Sequence, residues 1–195
     1  MQEPVSSPRK VLFITLGLNL AMFLIESIAG ILSDSSGLLA DSLDMLGDAA
    51  MYGVTLLALR RSLRWQAKAS LGKGIAMGVL AMGVLAESGH KLIYAHPIPT
   101  ASAMGIVSIL GLMANVLSAW LLMKHSSDNI NLKSVWLCSR NDALANIGVL
   151  IAGGLVALTQ SALPDALIGA SIAMLGLKSA WDIVRESVSE LRRTP

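Results

Sequence analysis

Six apolar segments follow one another along the 195-residue chain, with short polar loops between them. At a rise of about 1.5 Å per residue, a helix of roughly 20 residues crosses the hydrocarbon core of a bilayer. Within lipid the backbone must satisfy its own hydrogen bonds, so apolar segments of this length span the membrane as helices. The sequence therefore predicts an all-α membrane protein with six transmembrane helices, near residues 11–32, 38–59, 74–95, 101–123, 135–158 and 164–184.

The composition agrees with this fold class. Charged residues make up 14% of the chain and the mean hydropathy is +0.64, whereas about 25% of the residues in a soluble domain are charged. We expect residues 1–195 to form a single transmembrane domain with no soluble domain. The net charge of +2 gives no reason to expect a nucleic-acid partner.

Lysine and arginine residues indicate the orientation. They cluster before the first span, between the second and third, between the fourth and fifth, and after the sixth, while the other loops hold almost none beyond Lys91. Because these residues accumulate on the cytoplasmic side, both termini are predicted to be cytoplasmic. We expect a multi-pass protein of a bacterial inner (plasma) membrane.

Three aspartates, Asp41, Asp44 and Asp48, interrupt the apolar second span. A carboxylate at the centre of a membrane helix costs about 2.5 to 3.5 kcal/mol on insertion scales, so something must offset the cost. Their spacings of three and four residues place all three on one face of the helix.

Other spans carry polar stripes of the same kind. In the fifth span, Cys138, Asp142 and Asn146 are four residues apart, and in the first span Asn19 and Glu26 are seven apart. Such spacings again place the members of each set on one helix face. The polar residues are therefore directed toward particular neighbours within the bundle.

Membrane carboxylates can pair with basic side chains, hold protons, or bind a cation. Basic partners are scarce, because Lys91 and Arg140 do not obviously face the aspartate stripe. Protonated carboxyls that hydrogen-bond between helices are one remaining interpretation, and a metal site is the other. Two pairs spaced by four residues on different helices supply four ligands, the coordination number of a tetrahedral divalent site. Asp44, Asp48, Cys138 and Asp142 fit that number.

At these residues the chain resembles the cation diffusion facilitator (cation efflux) family of proton-coupled divalent-metal transporters. The likeness covers most of the chain and includes "LNLAMFLIE" in the first span, "SSGLLADSLDMLGDA" leading into the second, "CSRNDALANIGVLIAG" in the fifth and "PDALIGASIAML" in the sixth. The resemblance implies that the transported-metal ligands are Asp44, Asp48, Cys138 and Asp142. It also implies efflux of a divalent transition metal from the cytoplasm in exchange for protons, and a homodimer.

Two departures from the family pattern leave the metal open. Many zinc-transporting members have histidine where this chain has Asp44 and Cys138, and we expect no counterpart of the family's usual cytoplasmic C-terminal domain. If Cys138 is a ligand, its thiolate favours zinc, cobalt or cadmium. If it only packs, Asn141 or Asn146 completes an oxygen-rich site that favours manganese, iron or cobalt. A non-transporting membrane metal-binding protein is a further alternative.

The remaining polar residues are expected to support this site. Asp41, Glu26, Asn19 and Asn146 are assigned to packing or to the proton pathway, and Glu26 is the best candidate among them for proton transfer. Asp165, which follows Pro164, is expected to interact with the N-terminal dipole of its own helix. No nucleotide or phosphate motif is present, so we predict no enzyme activity, no catalytic residue and no cofactor, with the metal ion as the transported substrate.

Overall fold

The computed structural model describes residues 8–58, 62–94, 96–126 and 130–193, and the side chains of 9–57, 62–94, 96–123 and 142–193. Within these ranges the backbone forms six helices and no strand. They are α1 (Pro8–Ser33), α2 (Ser36–Ala58), α3 (Leu63–Ile93), α4 (Ala101–Ser126), α5 (Ile130–Thr159) and α6 (Leu163–Arg193).

The helices confirm the prediction of an all-α membrane protein. Five are long and apolar enough to cross a bilayer: α1, α3, α4, α6 and the 142–159 part of α5. Helix α2, with 23 residues, is long enough as well, but it carries the three aspartates and is less suited to face lipid. The side of the membrane on which the termini lie stays a prediction.

Two helices extend well beyond the predicted spans. Helix α3 begins at Leu63, where Ser62 Oγ accepts a hydrogen bond of 3.3 Å from Trp65 N, and α6 continues to Arg193. Hydropathy detects only the part of a helix that lies in lipid. The extensions pack on each other, because a methyl group placed on Gly74 would meet Ile183 and Val184.

The helices alternate in direction, so the bundle has two distinct ends. Near one end, Val11 and Leu12 of α1 pack with Tyr52 of α2 and Leu122 of α4. We call this the terminal end, because α1 begins and α6 ends there. The α1–α2 turn lies at the other end, which we call the opposite end.

The bundle is apolar outside and polar inside, the reverse of a soluble protein. Exposed fractions reach 70% for Ile31 and 82% for Leu158, whereas Glu26 and Asn115 are completely buried. A soluble protein of this size rarely exposes apolar surface so widely. The apolar exterior is therefore the surface that contacts lipid.

Asp165 holds the opposite end together by capping α2. Its carboxylate accepts hydrogen bonds from Ser35 Oγ (2.6 Å), Ser36 N (2.7 Å) and Gly37 N (3.0 Å). Asp165 also lies in the first turn of α6, as the sequence predicts, but its hydrogen bonds go to α2. The first amides of α2 need an acceptor, and α6 approaches closely enough to supply one, since a Cβ on Gly169 would lie 2.7 Å from the backbone of Ser36.

A second group of contacts closes the same end. Lys91 Nζ of α3 forms ion pairs with Asp34 Oδ1 (2.9 Å) and Glu87 Oε1 (2.7 Å) and donates to Asp34 O (2.8 Å). Asp34, at φ 55°, is the left-handed residue of the α1–α2 turn. Thr100 N, just before α4, donates to Ser33 O at 3.1 Å. The α1–α2 turn is thus joined to α3, α4 and α6.

Replacing Asp165 by alanine should lower the stability of the protein. Two backbone amides and the Ser35 hydroxyl would lose their acceptor in a buried position, which costs on the order of 2 kcal/mol or more. The measurement is the midpoint of thermal unfolding in detergent. The control is Asp182→Ala, at an exposed position of the same helix. Equal midpoints for the two variants would contradict the capping role.

Candidate metal site

One face of α2 carries a line of four polar side chains. Asp41, Asp44 and Asp48 are followed, four residues later, by Tyr52. Asp41 and Tyr52 are fully buried, Asp48 is 6% exposed and Asp44 is half-buried. Tyr52 donates its hydroxyl proton to Asp48 Oδ2 at 2.8 Å, so Asp48 is held in place from its own helix.

Helix α5 brings Asp142 directly against Asp48. The two carboxyl groups lie close enough to interact, and Asp142 is only 9% exposed. Two carboxylates offer acceptors alone, so they can hydrogen-bond each other only when one of them carries a proton. A proton or a cation between them would therefore stabilise this pair.

Negative charge is concentrated around this pair. Asp44 and Asp48 act electrostatically on Asp142, and Asp44 also acts on Glu26 and Asp41. Lys73 is a cation whose charge acts on Asp48. Carboxyls this close cannot all ionise at low cost without protons or bound cations.

A cavity of about 1280 Å³ connects the pair to the terminal end. Asp44, Asp48 and Asp142 lie on its wall, and Leu63 and Glu190 lie where it reaches the ends of α3 and α6. The cavity wall also includes charged residues of α3 and α6, namely Lys73, Lys178, Asp182 and Glu186. A hydrated ion can therefore approach the carboxyls from the terminal end.

A second polar layer lies one helical turn closer to the opposite end. Asn146 Nδ2 donates to Asp41 Oδ1 (3.3 Å) and to the carbonyl of Asp142 (3.1 Å). Glu26 Oε1 and Asn146 Oδ1 both approach α4 at Gly111, where a Cβ would collide with the two oxygens. Glu26, Asp41 and Asn146 thus meet behind the carboxyl pair, and we call them the rear layer.

The structure describes the side chains of three of the four predicted metal ligands. It brings together Asp48 and Asp142, with Asp44 on the same cavity wall. Cys138 and Asn141 belong to α5 but lie outside the residues whose side chains are described. Among the described residues, no three histidine, cysteine, aspartate or glutamate side chains converge tightly enough to hold a metal ion. The four-ligand site remains a prediction.

The supporting residues are buried, but they do not all join the site. Asn146 directs its amide nitrogen to Asp41 and its oxygen toward Glu26. Asn19, 1% exposed, donates to Thr15 O of its own helix at 2.9 Å, and its Oδ1 has no hydrogen-bond partner among the described residues. The hydrogen bond of Asn19 thus stays on α1, and its part in packing or in the proton pathway stays a prediction.

Two residues with clear structural roles are absent from the sequence predictions. Tyr52 continues the aspartate stripe at the same spacing of four, so the periodicity could have identified it. Gly111 had no such signal, because its importance depends on side chains that reach it from α1 and α5.

Comparison with known proteins gives a consistent result. A family model described as "Cation efflux transmembrane domain" matches residues 12–192. The chain is 30% identical to "Zinc transporter ZitB" of Escherichia coli (strain K12), over 95% of this chain and 63% of that protein. It is 26% identical to "Cadmium, cobalt and zinc/H(+)-K(+) antiporter" of Bacillus subtilis (strain 168), over 92% of this chain and 62% of that protein. The chain thus spans less than two thirds of the length of these relatives.

Replacing Gly111 by alanine should disturb the rear layer. The new methyl group would displace Glu26 and Asn146, and overpacking of this kind costs about 1 to 3 kcal/mol. We expect a lower midpoint of thermal unfolding in detergent. Gly105→Ala on the same helix is the matched control, because a Cβ there meets nothing within 4 Å. A Gly111→Ala protein as stable as the Gly105→Ala protein would contradict this packing.

Proposed function

Because the chain belongs to the cation efflux family, whose transmembrane model matches residues 12–192, we propose that it exports a divalent transition-metal cation in exchange for protons. The observation that carries the proposal is the adjacent pair of carboxyls, Asp48 and Asp142, on the wall of an open cavity. Two neighbouring carboxyls that a hydrated ion can reach are suited to exchange protons for a cation. Metal ligands must lose their protons to bind, so binding releases protons.

The proposed ligands are Asp44, Asp48, Cys138 and Asp142. The first two are one turn apart on α2, and the other two are one turn apart on α5. This arrangement matches a tetrahedral divalent site with ligands from two helices. Tyr52 would act from behind, since its hydrogen bond to one oxygen of Asp48 leaves the other oxygen for the ion.

The proposed metals are zinc, cobalt and cadmium. A thiolate from Cys138 favours these ions over harder ones such as manganese. The names of the relatives agree, since one is described as a zinc transporter and another as an antiporter of cadmium, cobalt and zinc. If Cys138 only packs, the carboxylates favour manganese or iron, which is the alternative assignment.

The direction of transport follows from the two ends of the bundle. Basic residues are concentrated at the terminal end, which supports a cytoplasmic position for that end. The cavity opens there, while Lys91, Asp34 and Asp165 join the helices at the opposite end. The arrangement corresponds to a transporter open to the cytoplasm. Release outside requires those contacts to separate and protons to displace the metal, while a homodimer stays a prediction from the resemblance.

Asp48→Asn should abolish metal transport. The amide keeps the size of the side chain but removes a charged ligand, and loss of one ligand lowers metal affinity by 10-fold or more, on the order expected for changes around metal sites. The measurement is zinc flux into proteoliposomes under an imposed pH gradient. The control is Asp182→Asn, which also lies on the cavity wall but near the terminal end. Equal zinc flux in wild type and Asp48→Asn would refute the proposed site.

Cys138→Ser should change which metal is transported. The hydroxyl is a harder and weaker donor than a thiolate, so zinc and cadmium should lose transport relative to manganese, by roughly 10-fold or more. The measurement is a panel of zinc, cadmium, cobalt and manganese fluxes in the same proteoliposomes. An unchanged selectivity would remove Cys138 from the ligand set and support the oxygen-rich alternative.

A further inference from the structure

Glu26 of α1 is a buried acid that the proposed metal site does not use. The side chain is completely buried, and neither carboxyl oxygen has a hydrogen-bond partner among the described residues. Leaving a buried acceptor unsatisfied costs about 1 to 3 kcal/mol, and more for a charged group. Its burial in the centre of the bundle therefore requires a compensating group.

The neighbour of Glu26 is oriented by its own hydrogen bonds. Asn146 Nδ2 donates to Asp41 Oδ1 and to the carbonyl of Asp142, and both of these groups can only accept from it in this arrangement. The amide nitrogen is therefore fixed on that side of Asn146. Asn146 Oδ1 points the other way, is unpartnered among the described atoms, and approaches Gly111 together with Glu26 Oε1.

Two acceptor oxygens thus share one buried space over Gly111. An ionised Glu26 would place a charged acceptor beside an amide acceptor. A protonated Glu26 would instead donate its hydroxyl to Asn146 Oδ1 and satisfy both groups. A proton on Glu26 is enough to remove the conflict between the two acceptor oxygens. Gly111 has no side chain, which leaves room for both oxygens.

The charges around Glu26 favour the same state. The charged groups that act on it are Asp41 and Asp44, both on α2. Helix α4 contributes Gly111 at the contact and α5 contributes Asn146, neither of which is charged. Glu26 and these two aspartates cannot all be ionised at low cost, and a divalent metal bound at Asp44 would reverse the influence of that residue on Glu26.

We propose that Glu26 is a proton-binding residue of the exchange reaction, which holds a proton while the metal site is empty and releases it when a divalent cation binds at Asp44. This inference rests on the proposed function. In the release step the O–H bond of the Glu26 carboxyl breaks and its electron pair stays on the carboxylate. The proton passes by way of the neighbouring acids Asp41 and Asp44 to water in the cavity, whose wall includes Asp44. Glu26 therefore contributes to coupling without being a metal ligand.

The test is the number of protons released per zinc ion bound. Wild type, Glu26→Gln and the control Glu186→Gln are compared in detergent in a weakly buffered solution with a pH indicator, while zinc chloride is added to saturation. Glutamine keeps a donor for Asn146 Oδ1 but cannot ionise. Glu26→Gln should still bind zinc and should release about one proton fewer per ion than wild type. Glu186, an exposed residue on the cavity wall, should give the wild-type number.

The outcomes separate this inference from the proposed function. An unchanged proton count in Glu26→Gln overturns the inference, and so does loss of zinc binding, because the proposed ligands are left in place. Wild type that releases no proton, or Asp48→Asn that binds zinc as wild type does, refutes the proposed function instead.

A second measurement does not depend on the folding of the Glu26→Gln protein. Infrared difference spectra recorded on adding zinc should show the loss of a protonated-carboxyl band from Glu26 in wild type, beside any band from the proposed ligands Asp48 and Asp142. In Asn146→Ala the lost bands should include one that is shifted, because the acceptor of the Glu26 hydroxyl is missing. Lost bands at the same positions in both proteins, or no lost band in wild type, overturn the inference.

Discussion

The carboxyl pair of Asp48 and Asp142 determines how the rest of the bundle is arranged. The two carboxyls bring α2 and α5 together in the interior, and a proton or a cation between them would offset their repulsion. A carboxylate that faced lipid would cost several kcal/mol, so α2 must lie among the other helices with its acidic face inward. The apolar side chains of the surrounding helices are then free to cover the outside. The acids are thus both the main cost of this fold and the reason that α2 has an interior position.

The two ends of the bundle respond differently to this constraint. At the opposite end, Asp165 accepts three hydrogen bonds from the start of α2, and Lys91 is neutralised by Asp34 and Glu87. Asp165 and Lys91 thus have protein partners of their own, and these contacts join the helices at that end. At the terminal end, α3 and α6 leave a cavity through which water and ions reach Asp44. Only the carboxyls on this cavity can exchange protons for a cation directly with solution.

Periodicity in the sequence predicted the helices and the faces of their polar stripes, because lipid imposes length and direction on each segment. It also predicted that Asp44, Asp48 and Asp142 lie near one another. All three line one cavity, while the metal site that they would form stays a prediction. It could not predict the partner of Asp165, since that depends on how closely α6 approaches α2, nor the role of Gly111, which is defined by side chains of two other helices. The orientation of the Asn146 amide likewise depends on Asp41, more than 100 residues away in the chain.

The two polar layers suggest why such a site contains more acids than ligands. A carboxyl oxygen that binds the metal cannot hold a proton at the same time. If the ligands alone exchanged protons for metal, each proton released would require a new metal–oxygen bond. Glu26 lies outside that set, and Asp44 acts on it through space. A group that responds to the charge of the ion, and not to its coordination, can change its protonation without altering the geometry of the ligands. Glu26 lies behind the site, in a layer that does not line the cavity. The metal ion therefore does not take the place of its proton.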